Sequence, residues 1–296
     1  MIFPMVDMIM FNGEPILSTR LELLCDTVDV FYITQSNISH SGEYRPVSIP
    51  VPTSHVLPCY SKIRWVTYVD DSDIKGRTDS DAIWERERRQ REYAIKHIKR
   101  DYPDGRYVAI VSDLDELVDP SIFSDLVAVQ EAHLLEMDMY YYNFKWKCCK
   151  WIKGQVVPGA MLNAGYSPNE GRRDEKTRAQ MPLIRNAGWH ASYFMSSESI
   201  RHKIQQFAHQ ELNTPAMTNL DWIQLCIERG KDIYRRSDTT LTWEDVRTVR
   251  DFPMPLMRFH KHITEIQRVD KKLRPFDDPG DAIEFLVPYT AVDLSA

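Results

Sequence analysis

The chain has 296 residues, 43% hydrophobic and 11% aromatic, with 37 basic against 43 acidic side chains for a net charge of −6. That composition is globular rather than disordered, and it argues against a nucleic-acid binder, which needs a basic surface. It leaves room for a small phosphorylated ligand held by a few local charges.

The N-terminal run Met5 to Phe11 reads as a buried strand. Pro4 and Asp7 interrupt the apolar start and no basic leader precedes it, so it does not read as a signal peptide. No stretch approaches the roughly 18 apolar residues of a membrane-spanning helix, so no integral membrane segment is expected. Asn12-Gly13-Glu14-Pro15 punctuates the chain, and residues 15–27 read as a helix with Pro15 in its first turn. Asp29 to Thr34 is a β-rich run. Residues 36–62 carry Pro46, Pro50, Pro52 and Pro58 and read as a long loop. Ile63 to Val69 reads as a strand, residues 81–100 as a charged helix, and Tyr107 to Val111 as an apolar strand ending at Ser112-Asp113-Leu114-Asp115-Glu116. His133 to Trp151 suggests paired strands, residues 163–180 a mobile polar loop, and residues 197–212 and 219–230 two helices, the second stopped by Gly230. The tail after Pro253 shows little periodicity. Five cysteines, an odd number without zinc-site spacing, read as free thiols of a reducing cytosol, hence a cytoplasmic protein.

Strand and helix alternate through the first half. The expected class is therefore α/β, with a mostly parallel (mixed) central sheet flanked by helices. Ligands of such sheets bind beyond the carboxyl ends of the strands, which singles out Asn12–Glu14, Thr34–Asn37 and Asp113–Glu116.

At the last of these ends, Asp113 and Asp115 follow five apolar residues. In an extended segment, residues two apart point the same way. Two carboxylates at the lip of a sheet suit a hard divalent cation that takes its remaining ligands from phosphates and water. The alternative is an acidic turn capping the next helix, with Asp119-Pro120 as a second cap signal.

In the helical run Trp84 to Arg91, Glu85 and Arg89 fit a solvated face with an i,i+4 pair. Glu87 and Arg91 instead fall on the stripe defined by Trp84, Ala94, Ile95 and Ile98. Either they form an internal ion pair, or Arg91 faces a ligand phosphate with Glu87 orienting it. Arg20, flanked by Leu17, Leu21 and Leu24, poses the same question.

Gly188-Trp189-His190 places an aromatic platform suited to a sugar ring beside an imidazole, although a core Trp is the commoner role. Ser196 or Ser197 caps a helix whose first turn holds Glu198, a carboxylate suited to take a proton from a sugar hydroxyl and equally to plain capping. Lys203 flanks that helix's apolar stripe of Ile200, Ile204 and Phe207. Glu211 and Asp174 are reserve bases, and His209 lies on the opposite side.

Together these segments resemble glycosyltransferase family 17, whose known animal member adds the bisecting N-acetylglucosamine of N-glycans. Five stretches in order carry the likeness: Phe11-Asn12-Gly13-Glu14 with Arg20 and Val28-Asp29; Ser36-Asn37 with Gly42 and Arg45-Pro46; Trp84 through Arg91; Ile110 through Leu117; and Gly188-Trp189-His190 through Lys203. The resemblance implies a GT-A-type fold with a Rossmann-like nucleotide-binding half, a divalent metal (Mn²⁺ or Mg²⁺), and inverting transfer from a nucleotide-sugar, first of all UDP-GlcNAc, to a glycan acceptor. It implies one domain, with residues 1–120 as the donor half, 121–250 as the acceptor half and 251–296 as an extension. Asn12, Glu14, Arg20, Glu87, Arg91, Asp113, Leu114 and Asp115 are then donor-binding, with Asp113 and Asp115 on the metal. Trp189 and Lys203 are acceptor-binding, and Glu198 and His190 catalytic. Gln35 stands where the family often has an acid. Two rival readings remain: a haloacid-dehalogenase-type phosphatase, for which position 117 holds the unsuitable Leu117, and a non-catalytic nucleotide-sugar-binding module.

Overall fold

The structure, a computed structural model, describes residues 3–45, 57–70, 73–127, 129–246 and 252–273. The loop prolines Pro46, Pro50 and Pro52 and the part of the extension from residue 274 onward lie outside the described residues. In chain order the elements are β1 (Met5–Met10), α1 (Leu17–Leu24), β2 (Val30–Ser36), β3 (Ile63–Tyr68), α2 (Ser80–Glu92), α3 (Ile95–Asp101), β4 (Val108–Val111), β5 (Glu116–Val118), α4 (Phe123–Leu126), β6 (His133–Tyr141), β7 (Trp146–Pro158), α5 (Gly159–Asn163), α6 (Pro168–Arg173), α7 (Glu175–Gln180), β8 (Leu183–Ser192), α8 (Ser197–Gln206), α9 (Leu220–Arg229), β9 (Thr242–Trp243) and α10 (Met254–Leu273). They group into two compact units. One comprises Met1–Met139 with Cys149–His190, the other Tyr140–Cys148 with Ala191–Ala296.

The sheet order is β3-β2-β1-β4-β7-β6-β8-β5. The β3-β2-β1-β4 portion is parallel throughout. The β4–β7 and β5–β8 pairings are antiparallel, so the class is mixed α/β and the parallel character belongs to the first half of the chain. β1 is an inner strand of the parallel portion, flanked by β2 and β4. Both its faces are covered, which is why it reads as an almost unbroken apolar run. Val6, Met8, Tyr32, Val66, Ala109 and Val111 meet Ala94 and Ile98 from the helical layer in one core cluster. The charged helix expected over 81–100 is two helices, α2 and α3, separated at Tyr93–Ala94.

Three expectations change. The segment 163–180 is not a mobile loop but carries α6 and α7. Pro168 starts α6, and Asp174 caps α7 by accepting from the Lys176 and Thr177 N–H groups. Asn169 ties α6 to α2, donating through Nδ2 to the Arg88 carbonyl at 3.1 Å. Cys25 and Cys59 form a disulfide with a Cα–Cα distance of 5.8 Å, inside the usual span for such bridges. Cysteine usage therefore no longer points to a reducing compartment. Lastly, the region after Pro253 is a helix. Leu256, Phe259, His260, Ile263 and Gln267 are buried at helical spacing, a stripe masked in the sequence by the prolines around it.

The second unit is packed around aromatics: Phe144 lies 4.2 Å from Phe252 and 4.8 Å from Phe194, centroid to centroid. His260 Nδ1 accepts the Phe144 N–H at 3.2 Å. Burial, with Lys145 nearby, pushes this imidazole down to about 4 from 6.5. As pH falls through that window the unfolded chain takes up a proton that the folded one refuses. Stability is therefore present above about pH 6.5 and decreases toward pH 4, by about 3 kcal/mol in all. Urea melts at pH 7 and pH 4.5 are expected to show this loss in the parent protein and a shallower pH dependence in His260→Gln. Equal slopes would remove His260 as its source.

Among the described residues no helix is long and apolar enough to cross a membrane.

Candidate active site

The site grows from the carboxyl end of β4. After Val111 the chain enters a tight turn in which the Glu116 N–H donates to the Asp113 carbonyl at 3.0 Å. The expectation that Asp113 and Asp115 share a face assumed an extended chain. In a turn that alternation does not apply.

Arg20 explains how the turn is held. On α1, directly after β1, its guanidinium is fully buried and paired with Asp7 of β1 through two bonds of 2.8 and 2.6 Å. Its remaining donors reach the carbonyls of Asp113 (3.0 Å) and Glu116 (2.6 Å) and the Ser112 hydroxyl (2.7 Å). Arg20 thus clamps the 112–116 turn from inside. This corrects its assignment as a donor-contacting residue, since a fully enclosed guanidinium presents no face to a ligand. The Leu114 side chain is likewise a core group, only 4% exposed.

Glu116 is the hub on the other side. Fully buried, it accepts from Trp151 Nε1 (2.7 Å), from Arg172 Nη2 and Nη1 (2.8 and 3.0 Å) and from the Asp113 N–H (2.9 Å). Arg172 continues to Asp113 Oδ2 at 2.6 Å, and Arg91 reaches Asp113 Oδ1 at 3.2 Å. Arg91 also pairs with Glu87 and donates to Asn169 Oδ1 at 2.8 Å. Arg91 thus makes the internal pair with Glu87 and meets a second carboxylate at the turn. Burial alone would raise the Asp113 carboxyl, but Arg172 and Arg91 hold it down at about 2. Burial likewise opposes the Glu87 charge, and Arg91 and His40 outweigh it to lower that carboxyl.

The β5–β8 register sets Glu116 opposite His190 and Leu117 opposite Trp189. Cross-strand partners share a face and neighbours alternate. His190 therefore stands with Glu116 on the site face, and Trp189 points to the opposite face of the sheet. The aromatic beside His190 is Trp151, whose ring centroid lies 4.6 Å away. His190 Nε2 is 3.5 Å from Asp115 Oδ1, and its buried Nδ1 has no hydrogen-bond partner. Gly188 makes this register possible. With φ +143° it brings β8 so close that a Cβ there would stand 2.0 Å from the Leu117 carbonyl oxygen.

Asn12 and Glu14 lie at the end of β1. The Asn12 N–H donates to Glu14 Oε2 at 2.8 Å, and Asn12 Oδ1 accepts from Arg45 and from Gln90 Nε2 (3.3 Å). Gln90 and Arg91 are neighbours on α2, so one helix ties the β1 end to the β4 end. Glu198 and Lys203 belong to the other unit. Glu198 is exposed and paired with Arg201, and Lys203 sits 5.4 Å from the Tyr193 ring centroid.

Asp7, Trp151, Asn169 and Arg172 are not singled out by the sequence. Asp7 carries the one available signal, a charge inside an apolar strand, 13 residues before an equally misplaced Arg20. Arg172 lies in a polar stretch that nothing marks as buried. Among the described residues no three His, Cys, Asp or Glu side chains converge to hold a metal ion.

A family model for glycosyltransferase family 17 matches residues 4–293, nearly the whole chain. The protein therefore belongs to glycosyltransferase family 17 and is an enzyme of the glycosyltransferase class, a conclusion that displaces the phosphatase and the non-catalytic module. No curated protein matches the chain.

Proposed function

We propose that the enzyme transfers a sugar, first of all N-acetylglucosamine from UDP-GlcNAc, to a glycan hydroxyl with inversion, the donor's diphosphate lying at the 112–116 turn. The observation that carries this is the meeting of Asp113 with Arg91 and Arg172, and of Asp115 with His190, in the turn at the carboxyl end of β4. The parallel β3-β2-β1-β4 portion supports a Rossmann-like donor half in a GT-A-type fold, since ligands of such sheets bind where the strands end. Asp115 and Asp113 have the hard oxygen donors that Mg²⁺ or Mn²⁺ prefers. With two carboxylates on offer, such an ion would draw its other ligands from phosphate and water. Asp113 would have to release a guanidinium to join it. When bound, the ion supplies positive charge to the departing nucleotide.

The chain's own groups cover the rest. Arg91 stabilises negative charge on the leaving diphosphate, oriented by Glu87 and Asn169. His190 and Glu198 are the candidate proton acceptors for the attacking hydroxyl. His190 is favoured by its place on the turn's face, its Nδ1 without a partner and its Nε2 toward Asp115.

The test is a panel of UDP- and GDP-sugars with Mn²⁺ and glycan acceptors, read by nucleotide release. UDP-GlcNAc turnover is expected, with loss in EDTA and recovery on adding metal. No nucleotide release from any donor would overturn the reading, and full activity in EDTA would remove the metal from it.

A further inference from the structure

We propose that Arg91 and Arg172 form an anion-binding pair for the donor's diphosphate, and that Asp113 occupies this pair until the diphosphate displaces it. The proposal rests on the nucleotide-sugar reading above and adds to it a second guanidinium, Arg172, and an exchange at Asp113.

Each guanidinium has its own anchor. Arg172 is gripped by both oxygens of Glu116, and Arg91 by Glu87 and Asn169. Neither anchor depends on Asp113, so both forks keep their orientation if that carboxylate leaves. Asp113 is what they share, one oxygen to each, at 3.2 and 2.6 Å. It is also the most open member of the set. Its side chain is 31% exposed, against 6% for Arg91, 7% for Arg172 and none for Glu116. Solvent, and hence a ligand, approaches the pair where Asp113 stands.

A second observation points the same way. Arg91 Nε is buried without any hydrogen-bond acceptor. A buried donor left unsatisfied is unusual and costly. A carboxylate presents two oxygens to the two guanidiniums, whereas a diphosphate presents several, in the fork geometry that arginine matches best. The ligand class is therefore a diphosphate, and Asp113 is its stand-in.

The exchange makes an unusual demand on mutants, because removing an acidic residue should improve anion binding. The probe is inorganic pyrophosphate in EDTA, followed by calorimetry, so no metal takes part. Asp113→Asn removes the competing charge and is expected to bind about tenfold more tightly than the parent protein, while Arg172→Lys, which keeps the charge but loses the fork, binds about tenfold more weakly. Arg172→Met strands the buried Glu116, so it is paired with Glu116→Gln, and the double variant is expected to melt cooperatively yet bind no pyrophosphate. Asp113→Asn binding no more tightly than the parent, or the arginine variants binding as well as it, overturns the proposal. The donor panel runs on the same preparations. Turnover without this binding pattern sinks the anion pair and leaves the transferase reading; the pattern without turnover of any donor does the reverse.

Discussion

Asp115→Ala is expected to lower transfer by about 10²–10³-fold, the usual loss when one preorganised group at a developing charge is removed, while leaving the melting temperature nearly unchanged. The two halves of that expectation have separate causes. The turn that carries Asp115 is fixed through main-chain carbonyls and Ser112, all held by Arg20, and none of those bonds uses the Asp115 side chain. The backbone should therefore survive truncation. The carboxylate, by contrast, lies at the turn proposed to take the diphosphate, with Oδ1 3.5 Å from the His190 Nε2. Steady-state kinetics on Asp115→Ala, His190→Gln and the double variant separate its two candidate duties. If Asp115 serves by orienting His190, the double variant is little worse than the poorer single one. If it serves the diphosphate independently, the losses multiply. Parent-like turnover in Asp115→Ala would remove the turn from the mechanism.

Much of the first unit was legible because its signals are local. An inner parallel strand is an apolar run, and β1, β2 and β4 all read that way. Trp84 to Arg91 carried charges on the wrong stripe, and Arg91 and Glu87 do face inward. What stayed hidden is what depends on register and on distant chain. Trp189 and His190 are neighbours in sequence, and only the pairing with Leu117 and Glu116 shows that the sheet separates them while Trp151 takes the place beside His190. Asp113 and Asp115 looked like one open pair, because alternation holds for a strand and the chain makes a turn there. The arginine that closes on Asp113 comes from a segment whose polar residues read as solvent-exposed. Asn169 and Arg172 of that segment are buried, the first tied to α2 and the second to Glu116, while most of its other charged residues do face solvent. The Cys25–Cys59 bridge could not be read from spacing, since its ends lie 34 positions apart.

The largest stability effect is expected at Arg20, which is fully enclosed while it holds the turn. Arg20→Met should cost about 3–5 kcal/mol, the range for breaking one side of a buried ion pair, because it leaves Asp7 charged and enclosed. The pair shows no exposure at either side chain, so water cannot compensate. The Asp113 and Glu116 carbonyls and the Ser112 hydroxyl lose their donor in the same step. A domain of ordinary stability has about 5–15 kcal/mol to lose, so the variant should melt far below the parent protein. Adding Asp7→Asn separates charge from clamp. Neutralising the stranded carboxylate should restore a good part of the stability, since most of the penalty is the unpaired charge. It should not restore the turn, which still lacks the donor that gathers its carbonyls. The double variant is thus expected to fold, by urea melt, and to remain poor in both pyrophosphate binding and transfer. Recovery of stability and activity together would mean that Arg20 only neutralises Asp7. A single Arg20→Met variant as stable as the parent protein would mean that the turn is held by something else.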